Sequence, residues 1–127
     1  MMVLTFILDG EVPAKKNSRI LNTKTRHIFP NKTYRQWHEV ALVQIASQWN
    51  RIGIAGPCAV YVEFIHGDLR RRDSDNGLSS VLDLIVDAGI LPDDKWQVIP
   101  EITVKNGYQK GNAKVVIKIT GEQKSID

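Results

Sequence analysis

The feature that most constrains the fold is a strand-like run, Cys58–His66, which separates two segments of helical periodicity. The first helical pattern ends near Trp49, and the second extends from about Asp75 to just before Gly89. Further strands are predicted at residues 2–9, 97–105 and 113–120, with a short hairpin between residues 19 and 29. The sequence therefore predicts an α+β fold, in which a mainly antiparallel or mixed sheet carries two principal helices.

The length of 127 residues predicts a single domain, 1–127, with a basic loop at residues 12–19 and a frayed tail at residues 122–127. The single cysteine, Cys58, excludes an internal disulfide framework and a CxxC zinc site, and it suits a reducing cytosol. No apolar run approaches the roughly 20 residues that a membrane helix needs. We therefore expect a cytoplasmic protein that has no membrane partner.

Charge is distributed unevenly, although the net charge is only +3. Residues 12–38 contain seven basic residues and no acid, whereas residues 68–95 contain half of the 14 acidic residues. A basic arm beside an acidic centre suits a polyanion that is held over metal-binding carboxylates. Two oppositely charged surfaces that only keep the protein soluble are the alternative.

A carboxylate pair directly follows three arginines in the segment Arg70-Arg71-Arg72-Asp73-Ser74-Asp75-Asn76. In an extended chain, side chains two residues apart point the same way, so Asp73 and Asp75 can converge on one ligand. The alternatives are that Asp75 caps the following helix and that the arginines neutralise Asp73.

A second carboxylate pair, Asp93-Asp94, follows Pro92 after the second predicted helix. Turns favour aspartate, which is the structural alternative. Two adjacent acids beside an acidic helix repel one another unless a cation offsets their charge, and Mg²⁺ bound by two or three carboxylates would do so. Such an ion generates hydroxide from water and stabilises charge on phosphorus oxygens. With arginines nearby to bind phosphate, the residues point to a metal-dependent phosphodiesterase.

The arginine run is predicted to contact phosphate, although such a run is also common at a solvated strand end. Lys15, Lys16 and Arg19, in a loop without acids, suit a clamp on a nucleic-acid backbone. No glycine-rich phosphate-binding signature occurs, so no organic cofactor is expected. Trp96, beside the second acid pair, is the tryptophan predicted to touch substrate.

At these residues the chain resembles the RusA family of Holliday-junction resolvases. The shared pattern is three arginines, Asp73-Ser74-Asp75-Asn76, Asp87-Ala88-Gly89, and then Asp93-Asp94 before a strand. The strong match covers residues 70–98. A weaker match at Pro13 to Asn17 and at Tyr34-Arg35 extends it along the chain.

The resemblance implies a homodimeric, Mg²⁺-dependent endonuclease, with Mn²⁺ as a possible substitute, that nicks four-way DNA junctions symmetrically in recombination and repair. A bacterial or prophage origin is usual for the family. The catalytic carboxylates would be Asp73, Asp75 and Asp94, which would bind the metal with Asp93 adjacent to them. The DNA-binding residues would be Lys15, Lys16, Arg19, Arg70, Arg71, Arg72 and Lys95.

Two departures from the family pattern affect the expected activity. A lysine that is important for cleavage often stands four residues after the second Asp, where this chain has Ser79. Gly77 places a flexible residue in the first turn of the predicted helix. A branched-DNA-binding dimer that cleaves slowly or not at all is therefore an alternative, and a general structure-selective or single-strand nuclease is another.

Overall fold

The computed structural model describes residues 1–14, 19–21, 28–30 and 32–124. The strands are β1 (Met2–Asp9), β2 (Arg19–Leu21), β3 (Ile28–Pro30), β4 (Ile54–His66), β5 (Glu101–Tyr108) and β6 (Lys114–Gln123). The helices are α1 (Lys32–Gln48), between β3 and β4, and α2 (Leu78–Asp87), between β4 and β5. This order is the predicted one, and the α+β class with two principal helices is confirmed.

The main sheet is mixed, with strand order β1-β6-β4-β5, and β2 and β3 form a separate antiparallel pair. β1 and β4 are antiparallel to β6, whereas β5 is parallel to β4 because α2 carries the chain back along the sheet. A short loop joins β5 to β6, yet β4 lies between them. The loop crosses the end of β4, where Gln109 and Gly111 donate backbone hydrogen bonds to the carbonyls of His66 and Gly67.

The core lies between one face of this sheet and the two helices. β1 buries every second residue, Leu4, Phe6 and Leu8, and α2 buries Val81, Leu84 and Ile85 against the sheet. Each fully buried aliphatic side chain contributes about 1.5–3 kcal/mol. Val40, on α1, does not belong to this core, since it is 57% exposed.

Several predicted boundaries are shifted. β5 begins at Glu101 and not at residue 97, because residues 96–98 form a turn in which Val98 and Ile99 donate to the Lys95 carbonyl. The predicted frayed tail begins too early, since Glu122 and Gln123 belong to β6 and Lys124 donates to the Gly53 carbonyl. Residues 125–127 lie outside the described residues. None of the helices in the described parts of the chain is long and apolar enough to cross a membrane.

The start of α2 differs from the prediction in a way that affects the site. The residue that caps the helix is Gly77, in a left-handed conformation (φ 86°, ψ −8°), and no side chain caps it. Asp75 is therefore not the N-cap. Gly77 precedes the helix, so it does not weaken the first turn as the sequence suggested. A Cβ at this position would also lie 3.0 Å from Val12 Cγ1, so the chain approaches too closely here for a larger residue.

Candidate acidic site

The first acid pair lies in a turn between the end of β4 and the start of α2. Asn76 donates its backbone N–H to the Asp73 carbonyl at 3.0 Å, and Leu78 donates to the Asp75 carbonyl at 3.0 Å. We call Asp73–Asp75 the acidic turn. Asp73 and Asp75 are both exposed, and both residues line one open cavity of about 210 Å³. Ser79, which stands at the position of the family lysine, lines the same cavity.

The residues before the acidic turn form an ion-pair cluster. Arg72, with only 13% of its side chain exposed, lies 3.2 Å from Glu11 and 2.9 Å from Asp68. The backbone N–H of Arg70 donates to Asp68, and this bond, helped by the bond from Arg72, holds the pKa of Asp68 below its usual range. The Arg72 guanidinium is thus engaged inside the protein.

The other predicted phosphate-binding residues differ in their surroundings. Arg70 is 75% exposed on its side chain and lies 3.4 Å from Asp68, and Arg71 and Lys95 are exposed. Lys15 and Lys16 lie outside the described residues, and of Arg19 the structure describes only the backbone, at the start of β2. The structure therefore describes two exposed arginines directly before the acidic turn.

The second acid pair is not near the first within one chain. Asp93 and Asp94 follow the far end of α2, whose ten residues span about 15 Å. Val98, just beyond this pair, accepts a backbone hydrogen bond from Cys58, near the beginning of β4. The acidic turn lies beyond the other end of that strand. Among the residues that the structure describes, no group of three or more His, Cys, Asp or Glu side chains could hold a metal ion.

The loop that carries the second pair is open to solvent. Asp94 donates its backbone N–H to Asp93 Oδ1 at 2.7 Å, and both residues are exposed. Trp96 is 72% exposed, so its side chain does not pack in the core as large aromatic side chains usually do.

Three residues that the sequence did not single out contact the acidic turn or its neighbours. Asn106 Nδ2 donates to the Ser74 carbonyl at 2.8 Å, Asn106 Oδ1 lies 2.8 Å from His66 Nε2, and His66 Nδ1 lies 3.1 Å from Glu11. They come from β5, β4 and the segment after β1, respectively. No spacing in the sequence connects them, and the pairing of β4 with β5 is what brings His66 and Asn106 together.

The donor chemistry of the acidic turn suits a hard cation. Mg²⁺ is commonly held by one or two carboxylates, with water and substrate phosphate oxygens completing its shell. Asp73 and Asp75, both exposed on one cavity, supply two such carboxylates. A transition metal of the zinc type, which prefers imidazole and thiolate, finds neither among the described residues that line this cavity.

Comparison with known families identifies the class of protein. A family model described as "Endodeoxyribonuclease RusA" matches residues 9–120, so the class is that of an endodeoxyribonuclease family. Because the match covers most of the chain, this protein belongs to the RusA family, as the sequence pattern indicated. A relative from Aquifex aeolicus (strain VF5), "Crossover junction endodeoxyribonuclease RusA", is 28% identical over 110 residues, which are 87% of this chain and 86% of the relative.

Proposed function

We propose that this protein resolves four-way DNA junctions in recombination and repair, by metal-dependent hydrolysis of one phosphodiester in each of two opposing strands. The observation that carries the proposal is the pair of exposed carboxylates, Asp73 and Asp75, on one open cavity in a chain of the RusA family. The similarity to a crossover junction endodeoxyribonuclease supports branched DNA as the substrate.

Asp73 and Asp75 would hold Mg²⁺, and Mn²⁺ would substitute for it because it accepts the same oxygen ligands. The bound ion would activate water for attack on phosphorus and stabilise charge on the phosphorus oxygens. The contribution of the chain itself would be to present Asp73 and Asp75 together on an exposed surface that DNA can reach. The exposed arginines before the turn, Arg70 and Arg71, would hold the neighbouring phosphates.

Asp94 belongs to the same site only if two copies of the chain combine. Within one chain α2 separates it from the acidic turn, as described above. A two-fold dimer relates the two ends of such a helix: Asp94 of each copy can approach the acidic turn of the other. We therefore propose a homodimer with two equivalent sites, each completed by Asp94, with Asp93 adjacent, from the second copy.

For DNA contact we assign Arg70, Arg71 and Lys95, which are exposed, together with the arm that contains Lys15, Lys16 and Arg19. Arg72 was predicted to contact phosphate as well. Its ion pairs with Glu11 and Asp68 lead us instead to propose that it supports the acidic turn.

A second candidate function is binding of branched DNA with slow cleavage or none. The observation in its favour is Ser79, which lies on the cavity where a lysine is common in the family. A lysine would stabilise negative charge in the transition state, and a neutral hydroxyl cannot replace that charge.

The deciding experiment incubates the protein with a mobile synthetic four-way junction, in Mg²⁺ or in EDTA, and resolves the products on native and denaturing gels. We expect paired symmetric nicks that require Mg²⁺, and linear duplex left intact.

Asp75→Asn should abolish nicking while junction binding persists, because the basic contacts remain. Tight, salt-sensitive binding without nicks would establish the second function, and Ser79→Lys should then restore cleavage. Equal cleavage of flaps and linear DNA would indicate a general nuclease.

A further inference from the structure

We infer that Glu11, His66 and Asn106 are positioning residues that hold the acidic turn in the geometry needed to bind metal. We call these three the anchor residues. The inference deepens the proposed function and rests on it for its catalytic consequence. The mechanical part, that the anchor residues keep the turn ordered, can be measured independently of any activity.

The first anchor acts on the backbone between the two carboxylates. Asn106 Nδ2 donates to the carbonyl of Ser74 at 2.8 Å, so it fixes the peptide that links Asp73 to Asp75. Because the amide nitrogen is used in this bond, the amide oxygen faces His66, and His66 Nε2 is the donor of their 2.8 Å contact. His66 thereby orients the Asn106 amide group.

The second anchor acts just before Asp73. Glu11 Oε1 lies 3.2 Å from Arg72, the residue that precedes Asp73, and also accepts the backbone N–H of Gly67 at 3.1 Å. Glu11 Oε2 lies 3.1 Å from His66 Nδ1. The Glu11 carboxylate therefore acts on the turn at two points, since it contacts Arg72 directly and reaches Asn106 through His66.

The sheet explains why these residues meet at the turn. In the parallel pairing of β4 with β5, Phe64 is opposite Asn106, and side chains at alternate positions share a face. Phe64 is buried against the helices, and His66 stacks with it at 6.4 Å between ring centroids. His66 and Asn106 thus lie on the same face of the sheet as Phe64, and Asn106 contacts the acidic turn from there.

Such support matters because the two carboxylates are themselves exposed, and metal sites tolerate displacements of only about 0.5 Å before they lose affinity. Residues that orient metal ligands through hydrogen bonds commonly change metal affinity by about tenfold or more when they are removed.

The test compares Asn106→Ala and Asn106→Asp with the wild type. The Asp variant can still accept from His66 but cannot donate to Ser74, so it separates the two contacts. Asn112→Ala is the matched control. Asn112 is an exposed asparagine in the loop after β5, and its side chain donates to Gln109 and not to the turn.

The first readout is amide hydrogen exchange at Asn76 and Leu78, whose N–H groups close the turn. We expect exchange about 3- to 10-fold faster in both Asn106 variants and unchanged in Asn112→Ala. The second readout is Mn²⁺ binding by calorimetry, with an expected loss of affinity of about 3- to 10-fold. The third is the Mg²⁺ concentration that gives half-maximal junction cleavage, which should rise by a similar factor while DNA binding in EDTA is unchanged.

The outcomes separate the inference from the proposed function. Exchange rates in the Asn106 variants equal to those of Asn112→Ala would overturn the inference, whatever the activity. Faster exchange with unchanged Mn²⁺ affinity would overturn the metal-positioning role. Faster exchange in a protein whose wild type neither binds Mn²⁺ nor cleaves junctions would support the ordering of the turn and reject the proposed function.

Discussion

At the scale of single residues, Gly77 satisfies two constraints that no other residue type meets together. Its φ of 86° lies in the left-handed region, and the place of a Cβ is taken by Val12, 3.0 Å away. The close contact with Val12 holds the segment after β1 against the start of α2. The position of the acidic turn therefore depends on the absence of a side chain at this residue.

Replacement of Gly77 by alanine should lower the free energy of unfolding by about 2–3 kcal/mol, from the left-handed conformation and the displacement of Val12. Gly111→Ala is the control, because Gly111 also has a positive φ (68°) but no atom within 4 Å of its Cβ position. We expect a loss of only about 1 kcal/mol there. Urea unfolding measures both, and equal losses would contradict the role of the Val12 contact.

Asp68 predicts a pH dependence of stability. Hydrogen bonds from the Arg70 backbone and the Arg72 side chain lower its pKa in the folded protein from the ordinary value of 3.8. A carboxylate whose pKa is lowered by folding stabilises the folded state at pH values above its ordinary pKa. This stabilisation disappears as the pH falls through the lowered pKa.

The difference in unfolding free energy between wild type and Asp68→Asn should accordingly be constant near neutral pH and shrink in acid. Urea unfolding at a series of pH values down to about pH 3 tests this. A difference that grows in acid would have the wrong sign and would show that Asp68 is not stabilised as a carboxylate.

At the scale of elements, α2 is attached to the rest of the protein by more than its apolar face. Ser80, fully buried, donates its hydroxyl to the Pro13 carbonyl at 2.6 Å. α1 is attached to β1 in a comparable way: the Gln48 amide both accepts from the Ile7 N–H and donates to its carbonyl, on the edge of β1 that faces away from β6. These side chains satisfy backbone groups that the sheet leaves unpaired.

Ser80→Ala should lower the free energy of unfolding by about 1–3 kcal/mol, because it leaves the partly buried Pro13 carbonyl without the Ser80 hydroxyl as its donor. Ser79→Ala, the neighbouring serine on the exposed side of α2, should change stability by no more than about 0.5 kcal/mol. Thermal and urea unfolding of both variants provide the comparison. Similar losses in the two would show that the Pro13 contact does not stabilise the helix.

At the scale of the whole molecule, the separation of the two acid pairs makes the proposed dimer testable. Asp75→Asn and Asp94→Asn should each abolish junction cleavage as separate homodimers. If Asp94 acts in the site of the other copy, a mixed dimer of the two variants contains one site with both defects and one site with none. Random mixing of equal amounts of the two variants makes about half of the dimers mixed, and one of the two sites in each mixed dimer is intact. About one quarter of the wild-type number of active sites should then be recovered.

The measurement uses the two variants with different affinity tags, co-purified as mixed dimers and assayed for nicking of a labelled junction. Single nicks in one strand at a time are expected. Mixed dimers as inactive as each parent would show that Asp94 does not act across the dimer. Mixed dimers of wild type and Asp75→Asn control for the effect of assembly itself.

The sequence by itself determined the order of the elements, the α+β class and the family, because periodicity and residue spacing are local properties of a chain. Tertiary structure decided what depends on contacts between distant segments. It placed β4 between β5 and β6, engaged Arg72 with Glu11, and brought His66 together with Asn106, which contacts the acidic turn. None of these contacts follows from the spacing of residues along the sequence. Strand order and side-chain contacts depend on how the strands and helices pack together to bury the apolar core.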